Sequence, residues 1–330
     1  MDVKVFIGDE LKKLAEPATV APFSDLTDEI YRLVMSHKFR KYSASDALKK
    51  HIRVAIEYNV KNNKPINVTF LGGSFKLWRL EESPEVDWAE LFALMYYATW
   101  VKGICAIYPP GVHIDFHQDD IIMERICNYT REEVRAFSGS MQKVIDFLKP
   151  YIPTNLKFTI TPVSGHFKSE EEMWRRVDME IEKFEKPENL KLTDVEIARI
   201  ELNYRPVPGV DHTADPLWRE KNAVLHDAYC LMSDRKMYRN VHDKIVAMPH
   251  HVTVGATGKG TAILMLGSTK NSTMKYWVGA GVLKVCEKRG FAPTIYSVSQ
   301  LEKYKDSISI YSINVEGLDG KNFGRIKVQK

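Results

Sequence analysis

Four stretches of this chain set ionisable or polar side chains where a folded protein could use them. The first is Gly72-Gly73-Ser74-Phe75-Lys76-Leu77-Trp78-Arg79, where an apolar run ends at a double glycine and two cations follow. Glycine lets the backbone turn sharply and leaves room for a ligand beside it. Lysine then offers a point charge, and arginine a two-pronged fork, for a phosphate or a carboxylate. The plain alternative is a surface turn with solvated cations. A Gly-Gly-Ser followed by acids is also a feature of nucleotidyltransferases, but their paired metal-binding acids are missing here, since Asp87 is followed by Trp88 and Ala89.

The second stretch is His113-Ile114-Asp115-Phe116-His117, which leads into Asp119-Asp120. On a strand, alternation places His113, Asp115 and His117 on one face. Two histidines and a carboxylate are the ligand set of many non-haem iron sites, yet a straight row spaced about 7 Å apart does not converge on one ion. A strand edge facing solvent is the simpler reading, and Asp119 and Asp120 at the strand end are the better candidates for contact with a substrate. The third stretch, Gly267-Ser268-Thr269-Lys270-Asn271-Ser272-Thr273, lies between an expected strand and an expected helix. Backbone N–H groups at such a junction, with hydroxyls and a lysine, suit an anion, although Ser272 or Thr273 could simply cap the helix. The neighbouring Gly255-to-Thr261 run is no P-loop, because glycine follows Lys259 where a hydroxyl residue is needed. The fourth is the pair His250-His251; neighbours on a strand point to opposite faces, so each reads as a core or surface histidine.

The composition bounds what these groups can serve. The 330 residues are 44% hydrophobic and 27% charged, as in an ordinary globular protein able to bury a sizeable core. A net charge of +4 tolerates an anionic small molecule but lacks the clustered basicity of a nucleic-acid binder. Cys105, Cys127, Cys230 and Cys286 form no Cys-x-x-Cys pair, which suits a reducing compartment and argues against a thiolate zinc site. With no signal-peptide pattern at Met1–Pro17 and no apolar run of roughly 18 residues, the expectation is a cytoplasmic protein without a membrane span.

The positioning elements follow from periodicity. Residues 1–22 read as a short strand or arm, and helical spacing begins at Asp25–Asp28. Ser45 caps a helix to about Asn59 with Leu48, Ile52, Ala55 and Ile56 on one face, and Ile66–Leu71 is a strand. Thr130-Arg131-Glu132-Glu133 is a capping box opening a helix through Phe147, and Leu156–Pro162 is a strand. A charged helix over Glu170–Phe184 precedes a loop over 203–216 and a helix over 217–240. Strands are expected at Lys244–Met248, His251–Val254 and Thr261–Leu266, a helix at Met274–Lys288, a strand at Thr294–Val298 and two short strands in 308–330. The alternation predicts an α/β fold: one Rossmann-like mixed sheet flanked by helices in one large domain over 46–330, preceded by an arm and helix over 1–45.

Several of these residues recur in a known order. Lys64-Pro65-Ile66, Lys76, Pro84-Glu85-Val86-Asp87-Trp88-Ala89-Glu90, Ile107-Tyr108-Pro109-Pro110-Gly111 and Asp119-Asp120 together resemble the isocyanide (isonitrile) synthase family, which includes pyoverdine-cluster and dityrosine-type biosynthesis proteins. The resemblance covers residues 50–150, about a third of the chain. It departs at the lysine turn, where the family has Pro-x-Lys-Ser-Pro-Asn and this chain Gly-Ser-Phe-Lys-Leu-Trp-Arg. It implies a Rossmann-like domain that turns the amino group of an amino acid, often aromatic, into an isonitrile. Ribulose 5-phosphate would be the carbon-donating co-substrate, no metal or other cofactor would be needed, and a downstream oxygenase is a candidate partner. On this reading Lys76, Glu90 and Asp120 are the catalytic candidates, and Arg79, Tyr108, Asp119, Ser268, Thr269 and Lys270 the substrate-binding ones. The alternatives are a non-haem iron oxygenase built on His113, Asp115 and His117, and a repurposed ligand-binding protein on the same fold.

Overall fold

A computed structural model describes residues 2–73, 75–232, 250–255, 263–267 and 273–330. The chain opens with α1 (Val3–Ala15), α2 (Leu26–Val34) and α3 (Asp46–Lys61). The expected arm over 1–22 is therefore corrected to a helix. Asp2 accepts hydrogen bonds from the first free amides, Lys4 N at 2.7 Å and Val5 N at 3.1 Å. Phe6, Ile7, Leu11 and Leu14 give the helix one buried stripe.

The first sheet has the order β3-β2-β1-β4, built from β1 (Ile66–Gly73), β2 (Val112–Asp119), β3 (Leu156–Pro162) and β4 (Val252–Gly255), all parallel. The register pairs Phe70 with Phe116 and Val254, and Phe116 with Ile160. One face of this sheet is consequently aromatic and aliphatic, while the other carries Thr69, His113, Asp115, His117, Thr159, Thr161 and Thr253. The second sheet has the order β6-β5-β8-β7 and comprises β5 (Gly279–Cys286), β6 (Gly290–Ser297), β7 (Ile308–Ser312) and β8 (Arg325–Gln329). The first is the helix-flanked sheet expected, and the second is an addition to it.

Helix α4 (Trp88–Ile107) runs between the sheets, against β2 and β3 on one side and β5 and β6 on the other. Its sequence is apolar on nearly every side, the pattern of a helix with no solvent face. One apolar core extends from Phe6 in α1 to Val328 in β8. A second cluster joins α5 (Ile122–Cys127), the start of α6 (Arg131–Leu148), α7 (Glu170–Ile181) and α9 (Trp218–Met232). Helix α8 (Asp194–Asn203) packs on α9, and α10 (Val298–Lys303) follows β6. Among the described residues no helix is long and apolar enough to cross a membrane.

The helix expected over Met274–Lys288 is a 3₁₀ turn, Thr273–Val278, followed by strand β5. Gly281 explains the difference: a Cβ there would lie 2.4 Å from Trp88 Cβ and 2.5 Å from Ala89 N, so the strand backbone itself abuts the start of α4. Helix α8 went unread although Thr193 and Glu196 form a capping box. Of the expected strand over Thr261–Leu266, the described part makes isolated bridges, Val254 to Leu264 and Arg40 to Leu266. The Lys244–Met248 strand lies outside the described residues.

Candidate active site

The turn that leaves β1 is pinned from three sides. Gly73 faces the Trp277 indole so closely that a Cβ would sit 2.7 Å from it. Leu77 N donates to Trp277 O at 2.8 Å, and Trp78 N donates to the Tyr129 hydroxyl at 2.8 Å. Between these anchors the Lys76 side chain turns inward and is fully buried. Its Nζ donates to Asp87 Oδ1 at 2.6 Å, to both Glu90 oxygens at 2.9 and 3.0 Å, and to Tyr276 O at 3.3 Å.

The two carboxylates hold the N-terminus of α4. Asp87 is its N-cap, accepting from Ala89 N at 3.0 Å, and Glu90 reaches back to accept from Asp87 N at 2.8 Å. Asp87 Oδ2 also accepts from Gly281 N at 2.9 Å, tying β5 to the same point. Burial lifts the Glu90 carboxyl to about 8, against the pull of Lys76, so it holds a proton at neutral pH. The two carboxylates hold the Lys76 ammonium above its ordinary value against the cost of burial. With Glu90 holding its proton and Lys76 its charge, the cluster avoids an excess of buried negative charge. Burial likewise pushes the Tyr276 phenol up, and Glu90 adds to this. Tyr276 Oη and Gln118 Nε2 are buried with no hydrogen-bond partner among the described residues, while Gln118 Oε1 accepts from Ser138 Oγ at 2.9 Å.

The remaining candidates are dispersed around this cluster. Arg79 is exposed, lies 4.9 Å from the Trp78 ring centre and donates to Glu201 O at 3.3 Å. Asp119 ends β2 and accepts from the Tyr229 hydroxyl at 2.9 Å. Asp120 accepts from both the backbone N–H and the hydroxyl of Ser164. Tyr108 sits before β2, at the opposite end of the sheet, where its hydroxyl donates to Lys64 O at 2.7 Å and Asn59 O at 3.2 Å. Ser268, Thr269 and Lys270 lie outside the described residues. Asp87 was legible only as part of a motif, and Tyr276 gave no sequence signal.

His113, Asp115 and His117 do share one face, but they bond along the sheet. His113 Nε2 pairs with Thr159 Oγ1 at 2.7 Å, and Asp115 Oδ2 with His117 Nε2 at 2.9 Å. Among the described residues no group of three or more His, Cys, Asp or Glu is placed to hold a metal ion. The buried face also corrects the reading of a solvent edge, since His117 is only 7% exposed. His250 has a positive φ of 64° and stacks on Tyr58, with ring centres 3.5 Å apart. Cys105, Cys127 and Cys230 are buried and in no disulfide, and Cys286 is half-buried.

The fold defines a mixed α/β protein with a four-stranded parallel sheet flanked by helices. It is similar to the crystal structure of the PvcA protein from Pseudomonas aeruginosa, with a TM-score of 0.59 and 13% identity, covering 92% of this chain and 100% of that one. No family model matches the sequence, and no curated protein does.

Proposed function

We propose that this chain is an isocyanide synthase-like enzyme, converting the amino group of an amino acid, aromatic by preference, into an isonitrile with carbon from ribulose 5-phosphate. The observation that carries this reading is the meeting of Lys76 with Asp87 and Glu90. These residues belong to two separate pieces of the motif series that resembles the family, and they touch through a fully buried ammonium. Two further pieces meet at the other end of the sheet, where Tyr108 bonds Lys64 O, and Ile66 N donates to Gly111 O at 2.9 Å. The motif order thus corresponds to spatial contacts at both ends of the sheet, and the PvcA-like fold is compatible with it.

The chemistry asks for a polarised ketone and for proton movement near neutrality. Glu90, protonated up to about pH 8, is suited to give a proton, and Lys76 to set the local positive field. Arg79, exposed beside Trp78, is suited to a phosphate or carboxylate arriving from solvent. Asp119 and Asp120 close the end of β2, and Ser268, Thr269 and Lys270 are the second anion candidates. A non-catalytic ligand-binding protein is the second reading, favoured by the complete enclosure of Lys76.

The test is incubation with ribulose 5-phosphate labelled with ¹³C at C2 and a pool of amino acids, followed by mass spectrometry. A labelled isonitrile supports the enzyme. Ligand-dependent thermal stabilisation without product supports the binding protein. Full turnover in Lys76→Ala would remove Lys76 from the mechanism.

A further inference from the structure

The polar face of the first sheet carries a hydrogen-bonded chain with a direction. Asp115 lies on β2, next to the strand that supplies Thr159 and Thr161. Thr159 Oγ1 donates to Asp115 Oδ1 at 2.5 Å, and Thr161 Oγ1 donates to the same oxygen at 2.8 Å. The other oxygen, Oδ2, meets His117 Nε2 at 2.9 Å. Although burial opposes ionisation, these three bonds hold the Asp115 carboxyl down at about 2, so it is an acceptor throughout the neutral range. The proton shared with Asp115 Oδ2 must then sit on His117 Nε2, which leaves a lone pair on Nδ1 in the neutral ring. Thr159 has spent its own proton on Asp115 and therefore accepts from His113 Nε2.

Among the described residues neither His117 Nδ1 nor, at the other end of the network, His113 Nδ1 has a hydrogen-bond partner. The His117 side chain is 9% exposed and lies beneath the exposed His166, with ring centres 5.1 Å apart. Of the other titratable groups, His251, before β4, interacts with His117, and His113, on β2, with Lys157 of β3 opposite it, shares the same sheet face. Burial lowers His113, and burial together with neighbouring histidines lowers His251 to about 4, so both are neutral at pH 7. Asp115 is thus the carboxylate set directly against His117.

We infer that His117 is a general base held by Asp115, and that it takes the proton from the substrate's ammonium group at Nδ1. The substrate is left as a neutral amine with its lone pair free for attack on a ketone, and the ring becomes an imidazolium that returns the proton to solvent. Asp115 is a positioning residue, and Thr159 and Thr161 fix its rotamer. The inference rests on the amino-acid reading above for the identity of the proton donor.

The experiment pairs turnover rates with ¹⁵N imidazole NMR on the full chain, comparing wild type with His117→Gln, Asp115→Asn and Thr161→Val. His117→Gln should lose roughly 10²–10⁴-fold, the usual contribution of a positioned base. Asp115→Asn should lose about as much, because the ring loses the carboxylate that fixes its orientation and tautomer. Thr161→Val should fall between wild type and Asp115→Asn. His117→Gln within threefold of wild type, with native circular dichroism, would overturn the inference. If wild type yields no isonitrile, the amino-acid reading falls, and the spectrum alone decides the dyad. Nε2–H on His117 at neutral pH, disturbed in Asp115→Asn, supports the dyad, whereas Nδ1–H overturns it.

Discussion

Replacing Lys76 by Met tests the centre of the structure most directly. Met fills nearly the same volume, so the change removes a charge without opening a cavity. The ammonium lost contacts Asp87 at 2.6 Å and Glu90 at 2.9 Å, all inside the protein. Breaking a buried ion pair on one side costs roughly 3–5 kcal/mol. Two features place Lys76→Met at the low end. Glu90 can stay protonated, since its pKa of about 8 rises further without the cation. Asp87 still accepts from Ala89 N and Gly281 N. The expected loss at pH 7 is therefore about 3 kcal/mol, or a fall in Tm of roughly 5 °C for a chain of this size. Urea titration followed by tryptophan fluorescence reads it. Adding Asp87→Asn removes the stranded anion and should recover about 1–2 kcal/mol, since the uncompensated charge is the main cost. A Lys76→Met loss under about 1 kcal/mol, or no recovery in the double variant, would refute the account of Lys76 as the buried counter-ion of Asp87.

Further outcomes follow from the same geometry. Folded Glu90 keeps its proton to about pH 8, whereas the unfolded group loses it near 4.5. Its contribution to stability is therefore full below pH 4.5 and lost as pH rises through 8, and Glu90→Gln should flatten that alkaline decline in Tm. Gly281→Ala would drive a Cβ to 2.4 Å from Trp88 Cβ and should cost at least about 2–3 kcal/mol in denaturant titration. Tyr108→Phe loses two hydrogen bonds far from the candidate site; a drop of about 1–2 kcal/mol is expected, with turnover per folded molecule unchanged. Arg79→Ala should leave Tm within 1 °C or so and raise KM for the phosphorylated substrate; an unchanged KM would remove Arg79 from the site.

Much of the fold was local and therefore legible. Ser45 and Thr130 each bond an amide three residues on, so the starts of α3 and α6 could be read from a four-residue window. The run of α4 is apolar on nearly every side, the pattern of a helix with no solvent face, and Ile66–Leu71 is legible as a strand. Neither identified the two sheets between which α4 lies. Strand β5 was read as a helix because what decides it is Gly281 against Trp88 and Ala89, nearly two hundred residues away in the sequence.

The candidate site divides in the same way. Residue type and order determined that Lys76, Glu90, Asp115 and His117 could do chemistry. Tertiary structure alone decided that Lys76 turns inward to two carboxylates rather than outward to solvent, and that Tyr108 serves the far end of the sheet. It also decided that Asp115 is gripped by two threonines from β3, since the parallel register sets Thr159 opposite Asp115 and Thr161 opposite His117. The physical reason is that a side chain's charge and reach are fixed by its identity, whereas its partner, its burial and hence its protonation state are set by whichever strand or helix packs against it.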